Sequence, residues 1–263
     1  MSTISRSLTL VKRYIILSFK NQIEFKFDFY MSILAIFMEA MYVFVFWISI
    51  VNVGIAFDNW TTEHIFLLAS FNILSAGISK MFFGFRDFEF KVARGEFDIH
   101  MIRPINPVAI ALLEKLNITN IIGKVLIGSS MLITSSIMFN LEIGTVLMAV
   151  LILINATIVI ELLYGVVTHA CFFIGKIYYF RELLFSIRTA TNYPLDIYPK
   201  GLFKFFTSVI PLAMISTIPT KISTGLFSGG KYFLISLLLV VIVFLFYKIV
   251  SKIAINSYKS SGS

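Results

Sequence analysis

Few residues in this chain have the types and spacing that chemistry needs. His64, His100 and His169 stand far apart and form no H-E-x-x-H pattern, so the ligand helix of a zinc protease is absent. The single Cys171 excludes an internal disulfide and a cysteine-based metal site. No G-x-S-x-G elbow occurs. Gly229-Gly230-Lys231 lacks both the earlier glycine and the Ser/Thr that complete a phosphate loop, and Gly123-Lys124 and Gly175-Lys176 are equally incomplete. The chain therefore has no route of that kind to nucleotide hydrolysis. A rhomboid-like Ser/His pair stays open from the sequence, but no catalytic constellation stands out.

Two sets of residues carry more information. The first is the segment from Arg86 to Pro107. It packs Arg86, Asp87, Glu89, Arg94, Glu96, Asp98 and Arg103 among Phe88, Phe90 and Phe97. Phe90, Ala93, Phe97 and Met101 recur at steps of three to four, which predicts one or two short helices lying across a membrane surface. Gly95 is the expected break between them, and Pro104 and Pro107 turn the chain onward. A solvated connector is the plainer alternative. The second set is Glu39, Lys124 and Glu161, three charges inside apolar runs, where charged groups are rare and either paired or functional. At 1.5 Å per residue their depths agree within about a turn. Lys124 is expected to pair with Glu161, the alternative being a snorkelling Lys124 and a protonated Glu161. Lys80 and Lys115 are expected to snorkel.

The elements that hold these residues follow from composition. The chain is 58% apolar and 14% charged, with 28 Phe and a mean hydropathy of +0.91. A soluble domain is about 45–50% apolar and 25% charged, so this chain lacks the polar surface to coat a water-soluble globule. A multi-pass, all-α membrane protein is expected. Spans of about 20 residues are predicted near Met31–Gly54, Ile65–Phe85, Ile118–Phe139, Thr145–Thr168, Leu202–Ile218 and Tyr232–Val250. Pro211 and Pro219 bend the fifth at its end. Residues 218–230 then make a short re-entrant piece on the outer side, an expected gate, or a simple outer loop.

Basic residues set the sidedness. Arg6, Lys12, Arg13, Lys20 and Lys26 precede the first predicted span; Arg86, Lys91, Arg94 and Arg103 follow the second. Lys176, Arg181, Arg188, Lys200 and Lys204 lie between the fourth and fifth, and Lys252 and Lys259 follow the sixth, against Lys221 and Lys231 on the other side. Both termini are therefore expected in the cytoplasm. The net charge of +8 belongs to these loops rather than to nucleic-acid binding. No signal peptide is expected, because Arg6, Lys12, Arg13, Lys20 and Glu24 interrupt any apolar core in the first 25 residues. Residues 1–27 instead form a separate amphipathic helix, with Ile4, Leu8, Val11, Ile15, Phe19 and Ile23 on one face and Arg6, Arg13 and Lys20 between them. Residues 28–259 form the spanning domain and 260–263 a flexible tail. No internal repeat is evident.

Arg94-Gly95-Glu96-Phe97-Asp98 followed by Ile102-Arg103-Pro104-Ile105-Asn106-Pro107 resembles the signature of ABC-2 type exporter permeases, a Gly-x-hydrophobic-Asp turn leading into Arg-Pro-x-x-Pro. Phe97 stands where Leu is the usual residue. A second resemblance is Tyr193-Pro194-Leu195-Asp196-Ile197-Tyr198-Pro199, with Ile210-Pro211 and Ile218-Pro219 after it. The resemblance implies a permease subunit with no cofactor of its own. A separate ABC ATPase would bind ATP and Mg and dock on Arg86–Arg103, with Phe90 and Phe97 as the apolar anchors of that contact. A second permease copy, or a homologue, would complete the pathway in a bacterial plasma membrane. The expected cargo is an amphiphilic or cationic drug, peptide or lipid-like compound moved outward. A stand-alone transporter or an immunity-type membrane protein is the alternative. Against the first stands the lack of repeated halves common in secondary transporters.

Overall fold

The computed structural model describes residues 3–53, 60–102, 106–175 and 177–258. Backbone in lipid must satisfy its own hydrogen bonds, so apolar runs of this length form helices. Thirteen α-helices are present among the described residues. They are α1 (Thr3–Glu24), α2 (Lys26–Val53), α3 (Thr62–Ser79), α4 (Gly84–Ala93), α5 (Asp98–Met101), α6 (Pro107–Glu114) and α7 (Ile118–Met138). After them come α8 (Ile143–Thr168), α9 (Cys171–Ile174), α10 (Tyr178–Thr189), α11 (Lys200–Ser208), α12 (Thr217–Ser223) and α13 (Gly229–Asn256).

Local chemistry fixes several boundaries. The Thr61 hydroxyl accepts the His64 N–H at 3.5 Å while His64 Nδ1 accepts the Thr61 N–H at 3.0 Å. This is a reciprocal cap with a histidine in the usual Glu place. Asn106 Oδ1 accepts the N–H groups of Val108 and Ala109 at 2.9 and 3.3 Å, and Pro107 occupies the first helical position, where a missing N–H costs nothing. Gly95, at φ 73°, ends α4 in the left-handed conformation that glycine adopts without a Cβ penalty. That is the break the sequence predicts.

Helix α3 is the centre of the bundle, with Leu67, Leu68, Ala69 and Phe71 buried. It packs on α7 and α8. The α3–α7 contact is close: a Cβ at Gly128 would lie 2.7 Å from the Leu74 backbone nitrogen, and one at Gly77 would lie 2.9 Å from Val125. Small residues at such crossings let membrane helices approach. The other face of α8 packs on α12 and α13. Helices α2 and α13 keep long exposed apolar faces, among them Phe37, Tyr42, Leu238 and Ile242.

Among the described residues, five helical stretches are long and apolar enough to cross a membrane: Lys26–Ile50, Thr62–Ala93, Ile118–Met138, Ile143–Ile174 and Gly229–Asn256. The predicted span at Leu202–Ile218 is not one helix. Helix α11 ends at Ser208, a 3-10 turn spans Leu212–Met214, and α12 starts at Thr217. Contacts trace the path. Asp196 accepts a hydrogen bond from Trp60, at the α2–α3 end of the bundle. Val209, Ile210 and Leu212 then line a cavity with Glu161 and Arg188, about two-thirds of the way along α8 and at the end of α10. Lys221 returns to Asp196. Residues 200–223 thus form a hairpin that dips into the bundle from the Trp60 end and comes back. Of the expected re-entrant stretch 218–230, only its first part, up to Ser223, belongs to this hairpin. Pro211 sits at the turn, at the bottom, and Pro219 lies buried in α12. The sequence placed Arg188, Lys200 and Lys204 in one inner loop. Arg188 instead lies in the bundle, and Lys200 starts the hairpin just after Asp196.

Helix α1 ends at Glu24, and α2 follows directly after Phe25. The Ser18 hydroxyl donates to the Leu116 carbonyl at 2.5 Å, and Gln22 Oε1 accepts the Thr119 N–H at 3.0 Å, which ties α1 to the α6–α7 junction. The expected tail, 260–263, lies outside the described residues.

Candidate functional site

At the end of the bundle opposite Trp60, α4, α5 and α6 meet the termini of α8, α9 and α13. Phe97 is fully buried. Its ring lies 5.1 Å from Phe88, 5.3 Å from Phe172 and 5.3 Å from Tyr258, all edge to face, the favoured geometry for aromatic pairs. Phe88 stacks on His169 at 5.1 Å. The reading of Phe97 as an anchor for a partner is therefore corrected: its hydrophobic area is spent holding α4–α5 to the ends of the long helices. Glu89 is also buried, and its carboxylate accepts the Ile177 N–H at 3.2 Å, pinning the start of α10 to α4. Lys91 and Glu114 pair at 2.5 Å, with His100 Nε2 3.4 Å from the same carboxylate. Asp87 pairs with Lys115 at 2.7 Å. Arg86 lies over the rings of Phe83, Tyr164 and Phe185 at 5.3–5.7 Å. Burial, with Asp98 alongside, pushes the Tyr258 phenol up to about 12.

The outer surface of this platform has a different character. Phe90 is 40% exposed, Ile99 55% and Ile102 84%. Arg94 and Glu96 form an exposed pair at 3.7 Å. Arg103 and Pro104 lie outside the described residues.

The intramembrane charges are paired, with different partners from those expected. Lys124 binds Glu39 at 2.6 Å, joining α7 to α2. Glu161 binds Arg188 and the Ser79 hydroxyl, joining α8 to α10 and α3. Arg188 also donates to the hydroxyls of Ser79 at 2.6 Å and Ser75 at 3.3 Å, and Ser75 bonds Thr157 at 2.8 Å. The expected Lys124–Glu161 pair is therefore not formed. Sequence reading missed Arg188 because it stood in a presumed loop. The available signal was that a lone Glu161 in an apolar helix needs a cation.

Between α2, α3 and the chain after α10 lies a cavity of about 330 Å³ lined by Glu39, Lys80, Arg86, Lys124 and Arg188. Asn72 and Asn192, bonded at 2.6 Å, line it too. Both also line a second cavity of about 80 Å³ toward the Trp60 end, walled by Tyr42, Phe46, Trp47 and Tyr193. Above that, Trp60 Nε1 donates to Asp196 at 3.0 Å, Lys221 pairs with Asp196 and lies 5.6 Å over the Trp60 ring, and the Leu195 N–H donates to Thr217 at 3.0 Å. These contacts fasten the inserted hairpin to α3 beyond the Trp60 end of the groove. Asp196 and Lys221 were legible only as a motif residue and an outer-loop lysine.

A family model described as ABC-2 family transporter protein matches residues 36–262. No curated protein and no solved structure matches the chain.

Proposed function

The chain belongs to the ABC-2 transporter family, and on that premise we propose that it is the permease subunit of an ATP-driven exporter in a bacterial plasma membrane. The observation that carries the reading is the platform of α4 and α5. Its underside is locked to the long helices by Phe88, Phe97 and Glu89, while Phe90, Ile99 and Ile102 face outward. Apolar side chains exposed beside charged ones on a rigid base are the makings of a protein interface. A rigid base matters, because a push on the platform then reaches α3, α8 and α10 as a displacement of packed helices. The partner is a separate ABC ATPase, which binds ATP and Mg; this chain carries no phosphate loop of its own.

In this reading the chain crosses the membrane six times: α2, α3, α7, α8, the broken segment from Tyr178 to Ile197, and α13. The fifth crossing is supported by Arg188, level with Ser75 and Ser79, and by Asp196, level with Trp60. Both termini are cytoplasmic. Arg86, Lys91, Arg94, Lys115 and the basic residues of α1 gather at the platform end, against Lys200, Lys204, Lys221 and Lys231 at the other. Helix α1 lies in the inner interface, with Val11, Ile15 and Phe19 exposed toward lipid. The groove beside Glu39 is half of a pathway that a second copy, or a homologous permease, closes. Its cargo is an amphiphile moved outward.

The test is recovery of the ATPase. Phe90→Asp with Ile102→Asp should leave the permease inserted and folded, and lower co-purified ATPase and stimulated hydrolysis about tenfold. Full export with normal ATPase recovery from that variant would overturn the assignment.

A further inference from the structure

The groove between α2, α3 and α10 is chemically graded. At its platform end, four cationic side chains, Lys80, Arg86, Lys124 and Arg188, line the larger cavity with one carboxylate, Glu39. Glu39 is engaged by Lys124 at 2.6 Å. Arg188 is held from behind by Glu161, which is buried at 3% side-chain exposure. Lys80 has no carboxylate within 4 Å among the described residues; its ammonium lies 5.0 Å over the Phe83 ring. The next level is neutral and polar, at Asn72 and Asn192. Beyond it the wall is aromatic and aliphatic, with Glu39, already bound by Lys124, as its one charged residue.

A cationic ligand entering this groove would meet the ammonium of Lys80 and a carboxylate already occupied. An anionic head would instead supply Lys80, half-buried in this wall, with a counter-ion. The apolar remainder of such a molecule would lie on aromatic faces. We infer that this groove binds an anionic amphiphile, its carboxylate, phosphate or sulfate head at Lys80 and its apolar body against Tyr42, Phe46, Trp47 and Tyr193. This names the cargo class of the proposed exporter and rests on that reading.

Trp47, which lines the cavity, and the more distant Trp60 both act as donors that report binding. Two dansylated undecyl probes, one ending in a carboxylate and one in a trimethylammonium, are titrated onto the purified permease in neutral maltoside detergent, and tryptophan-to-dansyl energy transfer is followed. The carboxylate probe should bind about tenfold tighter than the ammonium probe, a difference of about 1.4 kcal/mol. Lys80→Glu should erase or invert that preference, Lys80→Gln should reduce it, and Lys80→Arg should retain it. Lys80 is only partly buried, and an unchanged thermal midpoint confirms that each variant is folded. Equal or tighter binding of the ammonium probe, or an unchanged preference in Lys80→Glu, would overturn the inference. Repeating the titration in nanodiscs separates two sources of the same head chemistry. Displacement of the carboxylate probe by phosphatidylglycerol identifies a bilayer lipid as occupant, and retention identifies a free solute. No ATPase is present in this assay. A failed preference therefore leaves the export reading standing, whereas normal probe binding by a permease that recruits no ATPase would count against export alone.

Discussion

Glu161→Gln removes the carboxylate from a site where Arg188 is 15% and Glu161 3% exposed. Two unit charges about 4 Å apart attract by about 4 kcal/mol at an effective dielectric constant of 20. Breaking a buried pair by deleting one partner costs about 3–5 kcal/mol, because the other charge stays behind uncompensated. Arg188 keeps its bonds to Ser79 and Ser75, so the lower end, about 3 kcal/mol, is expected. Arg188→Met should cost a similar amount by leaving Glu161 with only Ser79. The double variant should recover about 2 kcal/mol or more of the summed losses, since two neutral side chains leave nothing uncompensated. Thermal denaturation in neutral detergent, followed by fluorescence-detected size exclusion, reads all three. The cycle of Glu161→Gln with Lys124→Met is the internal control and should show far smaller coupling, because Lys124 is bound to Glu39. Strictly additive losses for Glu161 and Arg188, or stronger coupling of Glu161 to Lys124, would refute the assignment of partners.

Phe97→Ala should destabilise the protein by about 3–5 kcal/mol, as for other buried aromatics, and a thermal midpoint unchanged from wild type would contradict its burial. Gly128→Val should fail to pack, because its side chain would meet the Leu74 backbone; a loss of about 2 kcal/mol or more is expected in the same denaturation assay. Asp196→Asn removes the counter-charge of Lys221 and weakens the Trp60 bond. Faster proteolysis of the segment from Lys200 to Ser223, with the long helices still intact, is the expected result. Glu39→Gln should cost about 1–3 kcal/mol in the same denaturation assay: Glu39 is 50% exposed, which screens the pair, but Lys124 is only 9% exposed and loses its counter-charge.

How much of this was legible along the chain depends on how far apart the interacting groups lie. Hydropathy sums over neighbours, so the membrane class and the helices at α2, α3, α7, α8 and α13 follow from runs of Phe, Ile, Leu and Val. The caps at Asn106-Pro107 and the break at Gly95 are equally local, since each is decided by the backbone needs of a few residues. The predicted fifth span failed to form one helix for the same reason. Arg188 lowers the average over Tyr178–Ile197, while Leu202–Ile218 scores as apolar and yet turns back at Pro211. What makes the first segment tolerable is Glu161, 27 residues earlier. What holds the second is the pairing of Lys221 with Asp196. Phe97 reads as an exposed anchor beside so many charges until Phe88, Phe172 and Tyr258 close around it. The sequence by itself determined which stretches must leave water, because that is a sum over adjacent side chains. Only the tertiary structure decided which buried charge is matched by which, because that compensation is pairwise and acts between residues the chain keeps far apart.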